Sequence, residues 1–512
     1  MPNQLPFSRP SASRRPISAP TVVAPRKSRV LGSAAPEAIM LGRLIDKGIG
    51  IAEKIGYDLD RNVLVLGPNG TGKGTCIAIP NLLRLGGKRS VVATDPKCEL
   101  AAVTAPYRRT LGPVVIINPF NLLVDWPGYE DLKSDGLNPL VGLDPESPSF
   151  NAQVALIAEA MITVDPKDPH WGTSGRALTA MLVSATVLEA REKGVAPSMA
   201  RFREMLSEYS EEPNAGNEFE GRGIPELALK LMNSKLPGLR NKAAQFVVWN
   251  RETQGIASTV RSQTEPFDDD EIATDMAKGS FDFRTLKERP TTVYIVLPPE
   301  MMERHSKWLR LILIAALAAV MRPRRDGEPK VLFLLDEFFA LGRLEIIERV
   351  WALVRGYGVQ IMPIVQDLGQ LKKLYAESWE TFVGMAGAVV SFAANDMSTA
   401  EWLSRRAGET TRKISSKSTS FSQGFSSGSS GGKGHPLQNS GENWGSSTNY
   451  NESEIKVPML TPHKFFGLPP SFLALFLAGL SDMAPVYAPP YFDVEQLWRR
   501  ARNNPYYVNK EK

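Results

Sequence analysis

The sequence predicts an α/β fold with a mostly parallel central sheet, interrupted by an all-α insertion. Short apolar runs at 62–66, 90–94, 114–118, 292–297, 331–335, 359–365 and 388–392 alternate with helix-length amphipathic segments, the pattern of βα units. Several runs end directly in polar or turn residues, where an open α/β sheet places its ligands. Between 150 and 284 the pattern changes: 152–163, 175–192, 225–232 and 241–262 have helical periodicity and no strand-like run separates them.

In chain order, residues 1–36 read as a disordered basic tail rich in Pro and Ser. Arg9, Arg14, Arg15, Arg26, Lys27 and Arg29 lie in it, with no acid. It has no apolar core, so it is not a secretory signal. Residues 37–149 read as the first part of the α/β domain, 150–284 as the all-α insertion and 285–413 as the second part. Residues 414–453 turn to Ser, Gly and Asn and read as a flexible loop. Residues 454–495 complete the domain, with 472–477 as a candidate late strand, and 496–512 read as a C-terminal tail.

Composition narrows the function classes. Apolar content of 43% and charged content of 22% are those of a soluble globular protein. The formal charge is +5, but the first 36 residues hold six of the 60 basic side chains. The rest carries 54 bases against 55 acids, so nucleic-acid contact by the folded part would need a local stripe. Cys76 and Cys98 make no disulfide framework, which fits a reducing cytoplasm. His170, His305, His435 and His463 show no zinc spacing. No stretch reaches the roughly 18 apolar residues of a membrane span.

Gly67-Pro68-Asn69-Gly70-Thr71-Gly72-Lys73-Gly74-Thr75 follows a strand and opens a helix-length segment. That context makes it a phosphate loop for ATP. Glycines let backbone N–H groups converge on phosphate oxygens, the helix N-terminus adds positive potential, and Lys73 reaches the β and γ phosphates. Gly74 stands where Ser or Thr usually follows the lysine, so the hydroxyl facing Mg²⁺ is assigned to Thr75. A GKGT ending suits both small nucleotide kinases and ATP motors.

KVLFLLDEF, at 330–338, is an apolar strand ending in two acids. Asp336 would hold Mg²⁺ and Glu337 would orient or deprotonate the attacking water, which a hydrolase needs and a simple kinase does not. A solvated strand end is the plain alternative. The acids lie 263 residues beyond Lys73, with the helical insertion between, a layout that suits a motor. GVQIMPIVQD, at 358–367, is a further strand whose terminal Gln366 can sense the γ-phosphate.

With these motifs in place, the chain resembles the type IV secretion coupling proteins, the TraG/VirD-type conjugation ATPases. The matching stretches are GPNGTGKG, ATDPKCEL with TAPYRRTLG, LNPL, HWGTSGRALTAML, STVRS and RPTTVYIVLPP. LLDEFFALGRLEIIE, RGYGVQIMPIVQDLGQL, SRRAGETT and PYFD continue the series. The resemblance runs from about 40 to 495, broken by the Ser/Gly segment. It implies a RecA-like domain with an inserted helical domain, and a homo-hexameric ring with ATP at subunit interfaces. It also implies pumping of DNA with an attached relaxase, or of protein cargo, toward a secretion channel. Under it, Lys73 and Thr75 match the phosphate loop, Asp336 and Glu337 the acidic strand, Gln366 the sensor, and Arg355 an arginine that reaches a neighbour's γ-phosphate. A cation at a surface helix end is the plain account of Arg355.

Two departures stand out. The family normally carries an N-terminal membrane anchor, and this chain shows none. The expectation is a cytoplasmic protein recruited to the inner membrane by a partner. Cys98 stands where the family often has glycine. Asp95 and Lys97 read as a helix cap and a surface cation. A cargo receptor with little motor activity is the second functional class, and DNA-stimulated hydrolysis separates it from a translocase. Arg201, Arg203, Lys230, Lys235, Arg240 and Lys242 are candidate DNA contacts, or a solvated face.

Overall fold

The protein was analysed as a computed structural model, in which residues 32–33, 36–46, 50–57, 60–208, 223–428, 439–479 and 483–507 are described. Most of the predicted basic tail lies outside them. The strands are β1 Gly32–Ser33, β2 Ile39–Asp46, β3 Gly50–Tyr57, β4 Val63–Leu66, β5 Arg89–Thr94, β6 Val114–Ile117 and β7 Thr292–Ile295. They continue as β8 Lys330–Leu335, β9 Val359–Val365, β10 Ala388–Ser391, β11 Glu409–Gly428, β12 Asn439–Pro458, β13 Phe472–Leu477 and β14 Ala484–Tyr487.

One sheet has the order β1-β3-β2-β14-β13-β10-β4-β9-β8-β5-β7-β6. From β10 to β6 every neighbouring pair is parallel. From β1 to β10 every pair is antiparallel. This is an α/β fold of the RecA-like kind. The parallel strands are apolar because helices cover both faces. β4, β5, β7, β9 and β10 are buried along their whole length.

Three features position the site. β9 lies between the phosphate-loop strand β4 and the acidic strand β8, so their C-terminal ends are neighbours. β4 and β9 share only the pairs Val65–Ile364 and Leu66–Val365. Asn62 fills the start of this short ladder: its Oδ1 accepts from Ile361 N at 2.9 Å and its Nδ2 donates to Trp351 O at 2.7 Å. At the other end Gly67 N donates to Val365 O at 3.0 Å, which carries the ladder into the loop.

Between Phe150 and Lys278 every described helix or strand is helical. Pro169–Lys193 packs on both Phe150–Met161 and Arg251–Thr264, and Phe150–Met161 packs on the sheet-side helix Met302–Val320. Gly172 lets the link between Phe150–Met161 and Pro169–Lys193 pack on the helix backbone: a Cβ there would lie 2.7 Å from Val164 Cα. Arg203, a candidate DNA contact, instead donates from Nε to Asp268 at 2.6 Å, bonds Thr264 and is buried. Arg201 pairs with Glu189 and Glu204, and Lys230 with Glu226.

Two expectations are corrected. Residues 414–453 are not a flexible loop among the described residues. Residues 414–428 and 439–453 are the arms of an antiparallel ribbon in which β11 pairs with β12 from Glu409–Pro458 to Gly428–Asn439. Pairing between the two strands satisfies their inward-facing backbone groups. Residues 496–507 are not a tail. Glu495–Trp498 is helical, and the stretch after it is bonded to the body, with Arg500 Nη1 on Leu83 O at 2.8 Å and Arg502 Nε on Ala102 O at 2.6 Å.

Candidate nucleotide site

The loop leaves β4 at Gly67 and turns through Gly70 (φ +79°) and Gly72 (φ +92°), conformations that glycine adopts without steric cost. Gly67 is fixed for another reason. A Cβ there would lie 2.9 Å from Phe392 Cβ and 2.9 Å from Thr71 Oγ1. The loop is therefore wedged against the end of β10. Thr71 Oγ1 donates to Pro68 O at 2.7 Å and closes the turn through Asn69 and Gly70.

Lys73 opens the helix. The first turn, Lys73–Ala78, is π-wound, and α-helix follows from Ile79 to Arg84. Lys73 is buried; its Nζ donates to Gly67 O at 2.5 Å and Pro68 O at 3.1 Å. Burial pushes its pKa down, while the fields of Glu337 and Asp336 push it back up. Those carboxylates are thus within electrostatic reach of the ammonium. Gly74 is a first-turn residue with no side chain. Thr75 is buried, with its hydroxyl on Gly72 O at 3.4 Å. The first-turn N–H groups have no intrahelical acceptor and, with the helix dipole, form an anion-binding end.

β8 delivers the acids. Thr94 Oγ1, at the end of β5, donates to Asp336 O at 2.8 Å and pins the strand end. Asp336 Oδ1 accepts from Glu337 N at 3.0 Å. Burial first, then the adjacent Glu337 charge, pushes the Asp336 pKa up to about 6. Glu337 has φ +48°, a left-handed conformation. Strand alternation would send the two acids to opposite faces; this twist redirects Glu337. Gln366, at the end of β9, donates from Nε2 to Glu337 Oε2 at 3.3 Å. Its backbone N–H is held by Gln370 Oε1 at 3.0 Å.

Lys73, Asp336, Glu337 and Gln366 therefore converge, and Thr75 lies two residues along the same helix. Arg355 does not join them. It is exposed in the turn Val354–Tyr357, before β9, whereas Gln366 follows β9. The length of β9 separates them by about 20 Å at ~3.3 Å per residue.

Oxygen donors from Asp336 and Thr75 beside a phosphate loop suit Mg²⁺, which takes few protein ligands and completes its shell with water and phosphate. A site built from three or more His, Cys, Asp or Glu side chains is absent among the described residues.

The flank of the site was not legible from motifs. Asp95 is buried, accepts from Ala101 N at 2.8 Å and caps Glu99–Arg109; burial pushes its pKa up to about 7. Cys98 has φ +56°, a backbone region that favours glycine. Asn504 Nδ2 donates to Glu99 Oε1 at 2.7 Å, and Tyr506 Oη to Lys97 O at 2.7 Å. A Cβ on Gly74 would lie 3.9 Å from Glu99 Oε2, so this strap touches the loop's neighbour. A cavity of about 560 Å³ runs along the loop helix past Cys76, Pro80 and Arg84, walled by Met40, Pro489 and Leu497.

Comparisons with known proteins place the chain. Residues 38–481 match the family model described as Type IV secretory system Conjugative DNA transfer. The conjugal transfer protein TraG of Escherichia coli is 28% identical over 422 residues, covering 76% of this chain and 62% of that protein. VirD4 of Agrobacterium fabrum (strain C58 / ATCC 33970) is 26% identical over 371 residues, covering 70% of this chain and 51% of that protein. The chain thus spans about half to three-fifths of the length of these relatives. Among solved structures, the coupling protein TrwB in its unbound monoclinic form is 15% identical, with 88% of each chain covered and a TM-score of 0.58. TrwB in complex with ADP and Mg²⁺ is 16% identical, covering 84% of this chain and 85% of that chain, with a TM-score of 0.57.

Proposed function

The chain belongs to the Type IV secretory system Conjugative DNA transfer family, and from that premise we propose that it is an ATP-driven coupling ATPase. Its substrate is DNA or relaxase-bound DNA, or secreted protein cargo, delivered to the channel of a conjugation machine. The observation that carries this reading is the convergence of Lys73, Asp336, Glu337 and Gln366 at the C-terminal ends of adjacent strands.

In this reading the loop 67–75 cradles the triphosphate and Lys73 leaves its loop carbonyls for the β and γ phosphate oxygens. The nucleoside lies toward the cavity along the helix. Asp336 and Thr75 would hold Mg²⁺, and the ion would supply charge neutralisation at the phosphates. Glu337 orients the attacking water and accepts its proton, and Gln366 fixes the Glu337 carboxylate before the reaction and feels the γ-phosphate leave. Arg355 lies too far away to act within its own chain. It serves a neighbour's site in a homo-hexameric ring, as a finger in trans. Channel or membrane proteins recruit the assembly to the inner face of the inner membrane. No helix of the described residues is long and apolar enough to cross a membrane.

The test is phosphate release from ATP with and without DNA. A DNA-stimulated rate that disappears in Lys73→Ala is expected. Cargo binding with no stimulated hydrolysis would instead make the chain a receptor.

A further inference from the structure

The ribbon β11–β12 has no role in the nucleotide site. Its strands are 20 residues each, about 65 Å at ~3.3 Å per residue. It springs from a closed root, where Met459 N donates to Gly408 O at 2.9 Å and Ser404 Oγ to Leu460 O at 2.6 Å. Every described side chain from 409 to 425 and from 442 to 456 is exposed. A two-stranded ribbon alone in water is marginally stable, and each of its outer edges presents unpaired N–H and C=O groups.

The register sorts its residues. Phe421 opposes Ser446, Gln423 opposes Trp444, Phe425 opposes Glu442 and Lys417 opposes Tyr450. Strand alternation therefore puts Phe421, Phe425, Trp444 and Tyr450 on one face. They are 81%, 76%, 74% and 71% exposed. Ser, Asn and Gly dominate the other face along the distal half. An exposed aromatic face of this kind marks an interaction surface.

Charge selects the partner. Residues 418–425 and 444–449 contain no charged side chain and no proline, the usual guards of a free edge. Without cations there, phosphate groups of a nucleic acid or an acidic lipid have nothing to pair with. Near the root the two edges differ. β11 carries Arg412, Lys413 and Lys417 against Glu409, and β12 carries Glu452 and Glu454 against Lys456, with Lys413 paired to Glu454 across the ribbon at 3.7 Å. A β11 edge meeting another β11 edge opposes like charges. A β11 edge meeting the β12 edge of a second copy brings a net positive strand beside a net negative one, and puts the uncharged halves side by side.

We propose that the ribbon pairs edge to edge with the ribbon of a neighbouring copy of this chain, β11 against β12. The contact is heterologous, the kind that closes into a ring when the rotation allows. It joins the aromatic faces into one continuous surface. The inference rests on the assembly of copies proposed above, but not on ATP turnover.

Two single-cysteine variants, Ser420→Cys and Ser447→Cys, test it in the full chain with ATP and DNA present. Ser420 and Ser447 lie across from each other in the register, and the native Cys76 and Cys98 are buried. Mild oxidation, which joins only cysteines in direct contact, should cross-link an equimolar mixture of the variants at least tenfold more than either alone. Replacing 409–458 with a tight turn between Gly408 and Met459 should raise the concentration at half-assembly at least tenfold. Self-cross-linking of either variant as strong as in the mixture would overturn the pairing. So would an assembly of normal mass that gives no cross-link, or a ribbon that binds neutral phosphatidylcholine vesicles or single-stranded DNA in place of its copy. A chain that stays monomeric by native mass under every nucleotide and DNA condition would sink the ring itself.

Discussion

Gln366 donates its side-chain N–H to Glu337 Oε2 at 3.3 Å, across the boundary between β9 and β8. The Gln366 amide and the Glu337 carboxylate are thus one mechanical unit. Movement of either strand end changes the other's orientation, and in the proposed reaction the bond would join nucleotide state to the sheet that carries the helical insertion.

Glu337→Gln keeps the shape and removes the base. Hydrolysis should fall by about 10²–10⁴-fold, the usual range for a general base, while ATP affinity stays within a few-fold. Phosphate release and fluorescent-nucleotide titration check the two halves separately. Turnover surviving the substitution would remove Glu337 from this role.

Gln366→Ala removes the positioning bond and leaves the base in place. A fall in kcat with little change in nucleotide affinity is expected, and Gln366→Glu should not restore the rate, because two carboxylates would repel. A variant with unchanged kcat would show that the bond is incidental.

Lys73→Ala removes the loop's ammonium. Stabilisation of the protein by ATP and Mg²⁺ should vanish, since a ligand stabilises only the state it binds. Thermal unfolding with and without nucleotide reads this independently of activity. The same shift in variant and parent would contradict the loop assignment.

Arg355→Ala should lower hydrolysis only in the assembly. Mixed with Glu337→Gln, which supplies an intact Arg355, it should regain part of its activity, because each chain lends what the other lacks. Additive, uncomplemented rates would confine Arg355 to the surface of its own chain.

Asp275 gives a pH signature away from the nucleotide. Burial pushes its pKa from the ordinary 3.8 up to about 6. Between those values the folded state keeps a proton that the unfolded chain has lost, so stability falls as pH rises through this window, by about 3 kcal/mol from the shift. Asp275→Asn should flatten that slope and raise the melting temperature at pH 8. A variant less stable than the parent at pH 8 would contradict it.

The parallel half of the sheet was legible because β4, β5, β7, β8, β9 and β10 are apolar runs buried on both faces, with motifs at their ends. β2, β3 and β14 were not. IMLGRLID and GIAEKIGY mix Gly and charge into edge-region strands, and APVY is too short to stand out. The ribbon was hidden by composition, although the spacing of Phe421 and Phe425 already fits one face of a strand. The site acids and Lys73 were readable from local context. The left-handed turn at Glu337 and the packing of Asn504 and Tyr506 on the site's flank depend on tertiary contacts that leave no periodic trace.

Because Asn504 and Tyr506 hold Glu99 and Lys97 beside the loop, the stretch 503–507 is a clasp on the flank of the proposed nucleotide pocket. A protease that cuts after Arg502, or a bulky fusion placed a few residues beyond Tyr507, would loosen that clasp from outside without touching a residue that meets ATP.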